Sequence, residues 1–75
     1  MNLDKNYPHQ YERLLQRLRQ ARHEADLTQE EVAALLGKPQ YFVSRSESGA
    51  RRIDAVELAA FARVYGKDVG YFLGE

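Results

Sequence analysis

Apolar side chains recur along this chain in steps of three and four. Tyr11, Leu14, Leu15, Leu18 and Ala25 form one such row, with Arg13, Gln16, Arg17, Gln20 and Glu24 on the opposite side. That period belongs to a helix burying one stripe. Pro8 suits a first helical turn, where its missing N–H costs nothing. The first helix is therefore placed at about 8–25, after a flexible N-terminal arm at 1–7 that lacks any apolar pattern. Thr28 followed by Glu31 is a capping box, the reciprocal side-chain arrangement that opens a helix. Val32, Ala33, Leu35 and Leu36 give that second helix its apolar face, and Gly37 fits the left-handed residue that closes it. Pro39 forces a restart, so the third helix runs from about 39 to 48 and ends at Gly49. With only Gly37 and Lys38 between them, the second and third helices must cross steeply, as in a helix-turn-helix. Asp54 and Glu57 open a fourth helix carrying Val56, Leu58, Ala59, Phe61, Ala62, Val64 and Tyr65, which stops at Gly66. Asp68 caps a last short turn with Val69, Tyr71, Phe72 and Leu73. The expected fold is all-α, a compact bundle of five helices in one domain spanning 8–75, with no strand.

Composition narrows the function. Seventy-five residues suffice for one small core. Cysteine is absent, which leaves no disulfide framework or thiolate metal site and is what a cytoplasmic protein would show. The apolar runs are far shorter than the ~20 residues that span a bilayer. The opening MNLDKNYPHQYERLLQ carries acids and no apolar centre, so it is not a signal peptide. His9 and His23 have no ligand set around them, and no catalytic spacing or glycine-rich phosphate loop occurs. Neither an enzyme, a metal, a cofactor nor a small-molecule ligand is expected. Eleven basic and eleven acidic residues cancel overall, yet Lys38, Arg45, Arg51 and Arg52 stand against Glu47 alone between 38 and 52. That is a local basic patch on a neutral protein.

The segment Leu27–Arg52, LTQEEVAALLGKPQYFVSRSESGARR, resembles the Cro/C1-type helix-turn-helix domain, or Xre family, of phage repressors and small bacterial regulators. The resemblance rests on L-T-Q-x-x-x-A-x-x-x-G at 27–37 and V-S-R-x-E-x-G at 43–49, and extends from about Leu14 to Leu73. It implies a bundle of the phage-repressor type whose third helix enters the major groove, with dimers on half-sites about one turn apart. On that basis Gln40, Tyr41, Ser44 and Arg45 are the expected base readers. Thr28, Gln29, Lys38, Ser48, Arg51 and Arg52 are the expected phosphate contacts. The side-chain chemistry agrees, since Gln pairs with adenine, Arg with guanine, and Ser with either edge. The helix start at Thr28–Gln29 attracts phosphate. Tyr41 reads either as a thymine or phosphate contact or as helix filler.

The resemblance also pairs Arg22 with Glu47 as a structural ion pair, which would neutralise the acid inside the basic patch. At Ser46 the chain departs from the pattern. The family places a bulky apolar residue there, and Phe42 and Val43 share the same side of the helix. A serine is expected to leave volume unfilled at a cost of about 2–4 kcal/mol, loosening the third helix. Tyr71, Phe72 and Leu73 cannot all point inward from one turn, so they divide between core and a two-fold dimer contact. The expected function is a sequence-specific transcriptional regulator, a repressor that binds double-stranded DNA as a homodimer at a palindromic operator. The alternative is a protein-interaction module on the same fold, such as an antitoxin or accessory subunit.

Overall fold

A computed structural model describes residues 3–74, with side chains from residue 7 onward. Five helices make up the described chain: α1 Leu3–Glu24, α2 Gln29–Leu36, α3 Gln40–Ser48, α4 Ala55–Tyr65 and α5 Val69–Leu73. No strand occurs among the described residues. None of their helices is long and apolar enough to cross a membrane.

The largest difference from expectation lies at the start. α1 begins at Leu3 and carries Pro8 inside it, where an arm at 1–7 was expected; residues 1 and 2 lie outside the described residues. A proline in the second turn removes one bond, to the carbonyl four residues earlier. A tertiary contact offsets that loss. Tyr7 and Tyr11, one turn apart, both lie beneath the guanidinium of Arg52, which donates a hydrogen bond to the Tyr7 hydroxyl. Tyr11 in turn accepts a hydrogen bond from the Ile53 backbone N–H at 3.0 Å.

The helix ends follow local chemistry. Thr28 and Asp54 each accept from the backbone N–H three residues on, and Glu31 and Glu57 return the bond. Gly37 and Gly66 adopt positive φ at 67° and 65°, and the next N–H reaches back to the carbonyls of Ala33 and Ala62 at 2.9 Å. α1 ends in the same way with Asp26 (φ 56°) in the place of glycine, its following N–H bonding the Arg22 carbonyl at 3.2 Å. Pro39 is the N-cap of α3, so that helix starts at Gln40 and three residues, not two, join it to α2.

The core gathers Leu14, Leu18 and Ala21 of α1, Val32 and Ala33 of α2, Val43 of α3, four residues of α4 and Phe72 of α5. Phe61 lies at its centre, stacked 6.0 Å from Phe42 and 6.2 Å from Tyr65. Leu35 and Val56, counted among the apolar faces, are 64% and 78% exposed. The inward rows are Val32, Ala33 and Leu36 in α2, and Leu58, Phe61, Ala62 and Tyr65 in α4. Leu35 and Val56 fall off those rows by about a third of a turn or more.

α5 sits on α1. Arg13 and Arg17, expected to face solvent, donate to the exposed carbonyls at its end: Arg13 to Gly74 at 3.1 Å, Arg17 to Tyr71 and to Gly74 at 3.3 Å. Cations there also complement the negative end of the helix dipole. Of the three residues weighed for a dimer contact, Phe72 is fully buried and unavailable to a partner. Tyr71 is half-buried between Lys67 and Arg17, and Leu73 stands 58% exposed.

Candidate nucleic-acid interface

α3 is held against α1 and α2 through one buried carboxylate. Arg22 donates from Nε to Glu47 Oε2 at 2.7 Å and from Nη2 to Oε1 at 3.2 Å, with side chains only 12% and 3% exposed. The remaining terminal nitrogen, Nη1, donates to the Leu27 carbonyl at 3.0 Å. The hydrogen bond to Glu47 raises the Arg22 guanidinium above its ordinary range, against the opposing effect of burial. Arg19, three residues earlier on α1, donates to the Glu47 backbone carbonyl at 2.7 Å. The two arginines fasten the last turn of α3 by side chain and by main chain. Arg19 has no role in the sequence expectations, and its one signal there is its three-residue spacing from Arg22.

The carboxylate also reaches the outer surface. Gln29 Nε2 donates to Glu47 Oε1 at 3.0 Å, and Gln40 Nε2 donates to Gln29 Oε1 at 3.1 Å. Gln29 and Gln40 therefore meet at the mouth of an open cleft of ≈ 650 Å³ beside Thr28. Thr28 accepts from the Glu31 N–H, which leaves its hydroxyl proton free to donate outward. Asp26 and Glu30 also line this cleft and weaken its attraction for an anion.

The outward face of α3 carries Gln40, Tyr41 and Arg45 exposed and Ser44 half-buried. The Arg45 guanidinium stacks 4.8 Å over the Tyr41 ring and makes no hydrogen bond among the described residues. Ser44 and Ser48 turn their hydroxyls back to the carbonyls of Tyr41 and Arg45. Lys38 is exposed at the turn, 5.5 Å over the Phe42 ring.

Two expected phosphate contacts have other tasks. Arg51 grips Glu57 with both terminal nitrogens, at 3.0 and 2.9 Å, and lies 4.4 Å over the Phe42 ring. That bond raises Arg51 and lowers Glu57 from their ordinary values. Arg52 rests on Tyr7 and Tyr11, although it stays exposed.

Ser46 also differs from expectation. It is fully buried, its hydroxyl donates to the Phe42 carbonyl at 2.6 Å, and Arg51 Nη1 donates back to it at 3.3 Å. Its small side chain admits the Arg51 guanidinium where a bulky residue would stand.

A family model described as a helix-turn-helix domain matches residues 13–69. Among solved structures, the chain is similar to an XRE-family like protein from Pseudomonas syringae pv. tomato str. DC3000, at 42% identity and a TM-score of 0.86. That likeness covers 97% of this chain and 90% of the other. No curated protein matches. A helix-turn-helix match over most of the chain and a close Xre-type relative of the same architecture lead to one assignment: the chain belongs to the Xre-type helix-turn-helix family of DNA-binding regulators.

Proposed function

We propose that this chain is a transcriptional repressor that reads a palindromic operator as a homodimer, with α3 in the major groove of double-stranded DNA. The observation that carries the reading is the outward face of α3. Gln40, Tyr41 and Arg45 are presented there on a helix that Arg19, Arg22 and Gln29 hold in place from behind. Arg45 keeps its donors unspent and can pair bidentately with guanine, while Gln40 can pair with adenine. Thr28 and Lys38 flank that face as contacts to phosphate, which fix register without reading sequence. Leu73 and the neighbouring Val69 give α5 an exposed apolar edge suited to a two-fold contact.

Selection from a random DNA pool tests the reading. The expected product is a two-fold symmetric motif, and gel-shift titration with Arg45→Ala should lose about 1–3 kcal/mol at one base pair of it. Failure to enrich any motif overturns the proposal. A monomer in sedimentation at tens of micromolar, free and on DNA, removes the homodimer.

One observation favours the second reading, an interaction module such as an antitoxin or accessory subunit. With Arg51 committed to Glu57 and the net charge zero, few free cations face outward. Affinity for DNA that falls steeply with salt separates the two, since phosphate contacts release counterions and a protein partner does not require that.

A further inference from the structure

We infer that Glu47 is a positioning residue for base reading: its carboxylate sets the order of donor and acceptor that Gln40 presents to DNA, relayed through Gln29. The inference rests on the proposed role of α3. An exposed glutamine amide is ambiguous, because a half-turn about its last bond exchanges oxygen and nitrogen at little cost and reverses what it reads. Here the choice is made from inside the protein. Glu47 accepts two charge-assisted bonds from Arg22, and a carboxylate paired in this way offers its neighbours acceptors only. The amide that faces it must turn its NH2 inward, as Gln29 does at 3.0 Å. The Gln29 oxygen is thereby aimed the other way, and only a donor satisfies it, which Gln40 Nε2 supplies at 3.1 Å.

Two groups remain on the Gln40 amide, its carbonyl oxygen and its second N–H, and neither bonds any described residue. Side by side in that order they match adenine, whose major-groove edge offers an N–H2 donor beside the N7 acceptor. A buried charge thus removes a rotational choice at the surface before DNA arrives, which lowers the ordering cost of binding. The same carboxylate anchors α3 to α1, so fold and base preference share one residue.

The test uses the intact chain and Glu47→Gln, which exchanges one acceptor oxygen for a donor and leaves the order unimposed. In the free protein, the Gln40 side-chain amide of wild type should show one N–H protected from solvent exchange, seen by 15N–1H NMR. Glu47→Gln should lose that protection. On DNA, Gln40→Ala first identifies which operator position this side chain reads. Glu47→Gln should then lower the adenine preference at that position by about tenfold and leave the position read by Arg45 unchanged. A folded Glu47→Gln protein with the wild-type Gln40 amide signal, or with undiminished adenine preference, overturns the inference. Should that variant fail to fold, Gln29→Leu keeps the Arg22–Glu47 pair, breaks the relay and carries the same two expectations. A wild-type chain that enriches no sequence overturns the DNA reading and this role together. Enrichment with an unchanged profile in the variants overturns the role of Glu47 alone.

Discussion

Replacing Arg22 by methionine should be among the costliest single changes in this chain. Methionine keeps most of the aliphatic stem and removes all three hydrogen bonds, two to Glu47 at 2.7 and 3.2 Å and one to the Leu27 carbonyl at 3.0 Å. Glu47, 3% exposed, then keeps one bond, from the neutral amide of Gln29. Breaking one side of a buried pair costs about 3–5 kcal/mol. The surviving bond and the 12% exposure of Arg22 place this case near the lower end, about 3 kcal/mol. A domain of 75 residues has roughly 4–11 kcal/mol in total. The loss should lower the melting temperature by roughly 12–24 °C. The assay is urea unfolding of Arg22→Met, Glu47→Met and the double variant as a thermodynamic cycle. Because the damage in the first variant is a stranded charge, removing that charge should recover part of the loss, leaving the double variant more stable than Arg22→Met alone. A single-variant cost below about 1 kcal/mol, or a double variant showing the full sum of the two losses, would refute this account of how α3 is held.

Asp26→Gly should raise stability by about 0.5–1 kcal/mol, read from the urea midpoint, because a residue with a Cβ occupies a left-handed position (φ 56°) there. Tyr65→Phe should be neutral or stabilise by up to about 1 kcal/mol, since the Tyr65 hydroxyl is buried without a partner among the described residues. Burial also pushes that phenol well above its ordinary value, so it should not ionise in an alkaline spectroscopic titration until the fold is lost. Ser46→Leu should destabilise by about 1–3 kcal/mol by expelling the Arg51 guanidinium; a more stable protein would mean that the serine leaves usable space after all. The hydrogen bond from Arg51 holds Glu57 below its ordinary 4.5, so its contribution is present above that value and fades as pH falls through the lowered one. Glu57→Gln should therefore flatten the stability curve below about pH 4.5, by a small amount because the pair is near the surface.

Helices α2 and α4 were readable from the sequence because the signals that bound them are local. A capping box opens each and a glycine closes each, all within four residues of the ends. The partners that overruled expectation come from far along the chain. Tyr7 extends α1 through Pro8 by meeting Arg52, forty-five residues away. Arg13 and Arg17 belong to a polar row until α5 folds back and offers its carbonyls. Ser46 reads as a defect only while Arg51 is taken for a solvent-facing cation. At the candidate interface, the two motif runs locate Gln29 and Glu47, and the family resemblance locates Gln40 between them. Neither states that they touch, and no periodicity could have ordered their amides.

The arginines paired with carboxylates have a further consequence, for the speed of search. Arg22 and Arg51 each face a carboxylate, Glu47 and Glu57, so each pair is close to neutral, whereas Arg17 and Arg19 donate to backbone carbonyls and keep their charge. Arginines compensated by a carboxylate contribute little to the long-range field that draws a protein toward a polyanion. Association should then run well below the electrostatically steered limit. Random DNA should also hold the protein only briefly, because loose phosphate attraction supplies most non-specific affinity. Under the proposed role of α3, slower capture would accompany a wider gap between the operator and all other sequences.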